Sequence, residues 1–406
     1  MYIRRDQLLD KLVRYRKKDI VKVITGIRRC GKSVLLNDIY YDYLLADGVP
    51  PDHIIKVSLD LKKWEALRNG DALYHYIAES IRDDELYYVF LDEIQLVAGF
   101  EEVVNSIKAE FHTDVYITGS NSKLLSHDIS TIFRGRGIEI KVFPLSFAEF
   151  LAYRQIDKAD AFDEYIRFGG LPYAVTESGE QEKRAYLDMI VNTVVTRDML
   201  ERYDIRNEAL FIALIELLCS SIGAYVSPGK IAATLKSNGF KTVDNETISR
   251  YLSHICDSFL FYRADRYDIK GKEYLKTQNK YYAADMGLRN AAIHYRQHEI
   301  THIIENVVYL ELLRRGYLVD IGKNREKEID FVAKDLSGIS YYIQVSYTIQ
   351  DAAVRAREIS AFYHLDDGYK KILITMDRNP LTNLENGYRM LHLFDFLLND
   401  RALETV

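Results

Sequence analysis

"VKVITGIRRCGKSVLLNDIYYDYLL", residues 21–45, decides the fold. An apolar run with strand character leads into a glycine turn, then Lys32 and Ser33, then an amphipathic helix pattern. Gly26, Gly31, Lys32 and Ser33 complete G-x-x-x-x-G-K-[ST], the P-loop. The glycines let successive backbone N–H groups converge on phosphate oxygens, and the following helix adds its positive N-terminal end. Lys32 is placed to reach the terminal phosphates of a nucleotide, and the Ser33 hydroxyl to ligate Mg²⁺. Arg28 and Arg29, inside the loop, receive no role from the sequence.

Outward from this segment, the first 150 residues alternate strand-like runs with helical patterns, as in a parallel sheet wrapped by helices. The strands expected are 20–25, 54–59, 87–92, 114–119 and 138–143, with helices around 33–45, 71–82 and 101–111. The third strand ends in "LDEIQ". Asp92 suits the Mg²⁺ shell and Glu93 the orientation or deprotonation of an attacking water. Together they read as a Walker B motif, and the second acid favours hydrolysis of ATP over mere binding.

Composition bounds the rest. The 406 residues suffice for two to four domains, and 48% hydrophobic with 28% charged residues is ordinary for a globular chain. A net charge of -6 excludes a protein that coats nucleic acid over its whole surface, so such binding needs a local basic patch. The 31 Tyr suggest half-buried rings with wetted hydroxyls. Three Cys without paired spacing predict reduced thiols. No apolar stretch is long enough to span a bilayer, and the basic N-terminus lacks a signal core. The expectation is a cytoplasmic chain with no membrane partner.

"GIRRCGKS" (26–33), "VFLDEIQ" (89–95), "ITGSNSKLL" (117–125), "GRGIEIKVFPLSFAEFL" (135–151) and "FGGLP" (168–172) occur in one order. In that order they resemble the bacterial and archaeal AAA+ ATPases that carry a C-terminal domain of unknown function. The resemblance covers nearly the whole chain. It implies a further strand between the Walker motifs, ending in a polar sensor, for which Ser120 and Asn121 are the candidates. It also implies an arginine able to reach a nucleotide. Arg136 matches better than Arg134, and a surface pairing of either with Glu139 is the plain alternative. Gly169, Gly170 and Pro172 resemble a lid motif near the nucleotide, or serve simply as a helix-breaking turn.

Residues 227–268 read as two short helices, then a turn with Gly239, a third helix and a strand. Ser227 caps and Pro228 opens the first of these helices. Ile248, Tyr251, Leu252 and Ile255 share one face of the helix that follows Asp244 and Asn245, leaving Thr247, Ser249, Arg250 and His254 on the others. With a hairpin from about 259 to 283 this resembles a winged helix. Between 230 and 280 ten Lys and Arg stand against six Asp and Glu, a patch suited to phosphates. Towards the end, Glu305, Asp330 in "KEIDFVA" and Gln344 in "YYIQVSY" resemble the PD-(D/E)XK nuclease arrangement. There acids hold Mg²⁺ and a Lys stabilises charge. Ser346 stands where the Lys belongs, and although Lys323, Lys327 or Lys334 could substitute, nothing in the sequence shows that one does, so a scaffold or nucleic-acid clamp without cleavage is expected.

The sequence therefore predicts an α/β chain in four parts. These are an AAA+ core (1–150), a helical lid (151–218), a winged-helix module (219–298) and an inactive nuclease-like domain (299–406). ATP and Mg²⁺ are the implied ligands, held by Gly26, Gly31, Lys32, Ser33 and Asp92, with Glu93, Ser120, Asn121 and Arg136 acting in hydrolysis. Two functions fit: an ATP-driven machine acting through residues 227–283 on duplex DNA or a DNA-bound partner, or a signalling ATPase whose C-terminal half binds protein. A homo-oligomer suits either.

Overall fold

The computed structural model describes residues 2–120, 132–133, 135–296, 299–365, 367–378 and 384–405. The chain divides into two compact units, Met1–Pro144 with Asp257–Phe259, and Leu145–Cys256 with Leu260–Val406.

The first unit opens with helix α1 (Asp6–Tyr15), followed by β1 (Val21–Thr25) and the P-loop helix α2 (32–46). That helix is continuous but changes pitch, with a π-helical stretch at Leu35–Tyr40. Then come β2 (Ile54–Ser58), α3 (Gly70–Ser80), β3 (Tyr87–Asp92), α4 (Phe100–Glu110), β4 (Thr113–Gly119) and β5 (Gly137–Lys141). The five strands make one parallel sheet in the order β2-β3-β4-β1-β5. All five strands fall where the hydrophobic pattern places them, and β4 does lie between the strands that carry the two nucleotide motifs.

Strands β1, β3 and β4 are buried at every position, as central strands covered on both faces must be. Val23, Val89, Leu91 and Ile117 pack there against Leu73 and Ile77 of α3 and Val104 and Ile107 of α4. Even Lys22 is buried, its ammonium paired with Asp114 and donating to the Lys18 carbonyl at 2.8 Å. Several tyrosines depart from the half-buried expectation. Tyr40 and Tyr116 are fully buried because their hydroxyls bond each other at 2.6 Å and Tyr116 donates to Asp114 at 2.9 Å. An internal acceptor replaces the water that a wetted hydroxyl would use.

The second unit begins with helices α5 (Phe147–Arg154), α6 (Lys158–Phe168), α7 (Pro172–Thr176), α8 (Glu180–Thr193) and α9 (Glu208–Ser220). A full capping box between Ser146 and Glu149 starts α5. Next stand α10 (Pro228–Ser237), α11 (Asn245–Asp257) and the hairpin β6 (Phe261–Asp268) with β7 (Glu273–Ala283). The chain continues through α12 (Met286–Ala292), α13 (Ile300–Arg314), β8 (Leu318–Asn324), β9 (Lys327–Lys334), β10 (Ser340–Ser346), α14 (Ala352–Ser360), β11 (Lys370–Thr375) and β12 (Arg389–His392).

The hairpin does not stand apart. One seven-stranded mixed sheet runs β12-β11-β10-β9-β8-β6-β7, and β6 pairs in parallel with β8 through Arg266–Ile321, Tyr267–Gly322 and Asp268–Lys323. The β6–β7 hairpin and strands β8–β12 thus share one sheet. Among the described residues no helix is long and apolar enough to cross a membrane.

Candidate active site

The P-loop turn needs its glycines for space as well as backbone freedom. Gly26 and Gly31 have φ of 146° and 100°, and a Cβ on Gly26 would lie 2.1 Å from the Val142 carbonyl oxygen. Beneath the loop, burial pushes the Cys30 thiol pKa up, which marks this cysteine as packing. The Lys32 side chain is buried, and its ammonium donates to the carbonyls of Gly26 at 3.0 Å and Ile27 at 3.1 Å. That places a cation within the loop, at the N-terminus of α2.

Asp92 closes β3 and is buried. Burial pushes its carboxyl pKa up, while the hydroxyls of Thr118 and Ser33 favour the charged form. The two expected metal ligands, Ser33 and Asp92, therefore meet. Asn37 on α2 also donates to Asp92, at 3.4 Å. A hydroxyl and one buried carboxylate are hard oxygen donors, the small protein set Mg²⁺ uses when phosphates complete its shell. Among the described residues no group of three or more His, Cys, Asp or Glu offers an all-protein metal cage.

Glu93 leaves the strand in the left-handed region, φ 55° and ψ 48°. A non-glycine residue held there marks local strain. Two bonds to β4 hold it: the Glu93 N–H donates to the Thr118 hydroxyl at 3.0 Å, and Thr118 in turn donates to Asp92. The carboxylate of Glu93 accepts from the Ser120 hydroxyl at 3.2 Å and from the Gln95 amide, both on Oε2. Ser120, just past the end of β4, thus meets Glu93. Thr118, Gln95 and Asn37 were not legible as site residues, although each lies within two to five residues of a motif position. Asn121 and Arg134 lie outside the described residues.

Arg136 is placed otherwise than a pairing with Glu139 would require. It faces Asp19 at 4.0 Å, while Glu139 accepts from the Thr25 hydroxyl at 2.6 Å. The Arg136 carbonyl accepts from the Val21 N–H at 2.7 Å, which fixes the residue at the N-terminal ends of β1 and β5. The P-loop follows the other end of β1. Five residues of strand, about 16 Å, separate the two, so Arg136 does not reach the phosphates bound by its own loop.

In the second unit Gly169 and Gly170 have a packing reason. A Cβ on Gly169 would lie 2.1 Å from an Asp285 oxygen, and one on Gly170 2.4 Å from the Leu145 carbonyl. Buried Asp285 accepts the Gly170 N–H at 2.7 Å and caps α12 through Leu288 at 3.0 Å.

Glu305, Asp330 and Gln344 lie in one polar cluster. Glu305 is buried and accepts from Lys280 at 2.9 Å and Tyr282 at 2.6 Å, and Lys280 also pairs with Glu328 at 2.6 Å. Burial opposes both charges, yet each outweighs it for the other: Lys280 is held above its ordinary range and Glu305 below. Burial and the Glu305 charge push Asp330 well up. Gln344 accepts the Asp330 N–H at 2.7 Å and donates to Glu358 at 2.8 Å, while Ser346 turns to the Thr348 carbonyl at 3.0 Å. The lysine of the cluster is Lys280 on β7. Of the three expected substitutes, Lys323 faces Asp268 at 3.4 Å.

On α11 the apolar face is buried as expected, with Glu246, Ser249, Arg250 and Ser253 exposed. His254 is not available on the outer face: its ring stacks on Tyr203 at 3.8 Å. Thr247 is tied into the helix start by Asp244, which accepts its N–H at 2.7 Å. Lys230, Lys236 and Lys241 around α10 are exposed.

Residues 18–151 match the family model AAA_14, an AAA domain, and residues 159–299 match a domain of unknown function, DUF8612. An uncharacterized protein of Haemophilus influenzae is 38% identical over 402 residues, 98% of each chain. The uncharacterized protein MJ1544 of Methanocaldococcus jannaschii is 31% identical over 84% of this chain and 78% of its own. Among solved structures, the Walker-type ATPase paby2304 of Pyrococcus abyssi superposes with a TM-score of 0.50 at 14% identity, over 71% of this chain and 95% of that one. That likeness is one of fold.

Proposed function

The chain belongs to the family of AAA-domain proteins that includes these bacterial and archaeal relatives, and from this we propose an ATP hydrolase that couples turnover to work on duplex DNA or a DNA-bound partner. The observation that carries the ATPase reading is the meeting of Lys32, Ser33, Asp92 and Glu93 around the C-terminal ends of β1 and β3. Ligands of parallel sheets bind at that edge. Lys32 exchanges its two loop carbonyls for phosphate oxygens. Ser33 and Asp92 hold Mg²⁺, which when bound neutralises charge on the β- and γ-phosphates. Glu93 takes a proton from water as the water oxygen bonds to the γ-phosphorus. The bond to the bridging oxygen breaks, and ADP and phosphate leave. Arg136, remote from its own P-loop, serves the site of a neighbouring copy in a homo-oligomer.

The DNA reading rests on the local surplus of positive charge and on the exposed Lys230, Lys236 and Arg250. Duplex DNA should raise steady-state ATP hydrolysis by the full-length protein. Its binding should weaken steeply with salt, and the triple change Lys230→Ala, Lys236→Ala and Arg250→Ala should reduce the slope of log Kobs against log salt by about 3. A second reading, a switch whose second unit binds protein, is favoured by the covering of His254 and the overall charge of -6. Hydrolysis and binding indifferent to DNA at low salt would decide for it.

The nuclease-like cluster, in this proposal, does not cut. Lys280 is neutralised by two carboxylates, and Ser346 faces away. Supercoiled DNA incubated with Mg²⁺ or Mn²⁺ should stay intact. Nicking that vanishes in Asp330→Ala and survives in Lys32→Ala would overturn this.

A further inference from the structure

We infer that Gln95 is a positioning residue for ATP hydrolysis: with Ser120 it fixes one carboxylate oxygen of Glu93 and leaves the other to meet the attacking water. The inference rests on the reading of Glu93 as the residue that activates water. A flexible glutamate at the end of a strand samples several rotamers, and only one aims an oxygen at the in-line water. Here the backbone is already unusual, since Glu93 turns out of β3 in the left-handed region. Its N–H is anchored on Thr118, so the Cα is fixed and only the side-chain torsions remain.

Those torsions are fixed from one side. Gln95 Nε2 and Ser120 Oγ both donate to Oε2 of Glu93, and no described residue donates to Oε1. Two donors on one oxygen and, among the described residues, none on its twin is the asymmetry that suits a base. The held oxygen sets direction, while the free one has an open lone pair for a proton.

Gln95 itself supplies the second, independent observation. Its carbonyl oxygen is buried and finds no donor among the described residues. Turning the amide over would not help, because the carbonyl would then face the carboxylate. A buried acceptor left in this state carries a desolvation cost that an apolar side chain of similar size would avoid. What the glutamine provides here is the N–H donated to Glu93. Its position also suits the task. Gln95 sits in the short helical turn Ile94–Leu96, whose Val97 N–H returns to the Ile94 carbonyl at 2.9 Å, so the amide is presented from a constrained loop.

The test uses the full chain and four variants: Gln95→Ala, Gln95→Glu, Ser120→Ala and Glu93→Gln. Gln95→Ala should lower kcat by about 10- to 100-fold, the loss that follows from a misaimed catalytic group, with KM for ATP and nucleotide affinity unchanged within about two-fold. Gln95→Glu keeps the size and packing but offers no N–H at neutral pH, so it should lose at least as much. Ser120→Ala, removing the longer bond, should lose less. Melting temperatures read alongside separate the effect from unfolding. Wild-type kcat in both Gln95 variants, with Glu93→Gln inactive, would overturn the clamp and leave Glu93 as the base. Loss in Gln95→Ala but full activity in Gln95→Glu would also overturn it, since packing alone would then explain the residue. Full activity in Glu93→Gln would instead bring down the reading on which the inference stands.

Discussion

Glu93→Gln should reduce kcat for ATP by about 10²- to 10⁴-fold while ATP still binds with nearly its original affinity. Glutamine fills the same space, keeps an oxygen for the Ser120 hydroxyl and retains the backbone bond to Thr118. It cannot accept the proton that water must lose. Lys32→Ala should fail earlier, at binding, because the only ammonium inside the described part of the loop is gone. Steady-state turnover and fluorescent-nucleotide titration of both variants separate the two failures. If Glu93→Gln lost affinity in step with rate, Glu93 would be part of the binding surface and the assignment of the water-activating role would be wrong.

Lys280→Ala should destabilise the second unit by about 3–5 kcal/mol, the cost of leaving buried charge without its partner. Lys280 and Glu305 are both buried, and the ammonium lies 2.9 Å from Glu305 and 2.6 Å from Glu328. Among the described residues, removing it leaves Glu305 with only the Tyr282 hydroxyl and the distant His302 imidazole at 3.4 Å. The double change Lys280→Met with Glu305→Gln should recover much of the loss, since it removes both charges together. Urea unfolding followed by far-UV circular dichroism measures each value. A cost below about 1 kcal/mol for Lys280→Ala would show that the pair is hydrated, in the range of surface ion pairs.

The contrast between these two sites shows what a linear sequence reveals. The P-loop and "LDEIQ" are legible because their chemistry sits within a few residues on one strand end, and the phosphate geometry fixes the spacing. The central strands β1, β3 and β4 follow from their largely apolar runs, since burial on both faces demands them, whereas the edge strands β2 and β5 are only partly buried and mix charged with apolar residues. Lys280 was not legible because it meets Glu305 from another element, 25 residues away, through the packing of α13 against β7. Lys323, closer along the chain to β9 and β10, faces Asp268 instead. The same holds for Arg136, whose place at the N-terminal end of β1 follows from strand pairing. His254 was assigned to an open face by helical periodicity, and Tyr203, more than fifty residues earlier, covers it. Short β12, four residues long, carries too little pattern to announce itself.

The shared sheet of the second unit bears on how this protein can be dissected. A chain cut near residue 299 would keep β6 and β7 but lose β8, baring the backbone of Arg266, Tyr267 and Asp268 as an open strand edge. The same cut would strip Lys280 of Glu305 and Glu328. Such a fragment presents an unpaired edge and an orphaned ammonium at once, both invitations to self-association. Excised pieces of this region should therefore clump on size-exclusion chromatography, whereas a piece running from 145 to the C-terminus should elute as a folded species. Binding studies on the shorter fragment would report on stickiness, and any boundary drawn for grafting this region onto another protein has to pass outside the seven strands.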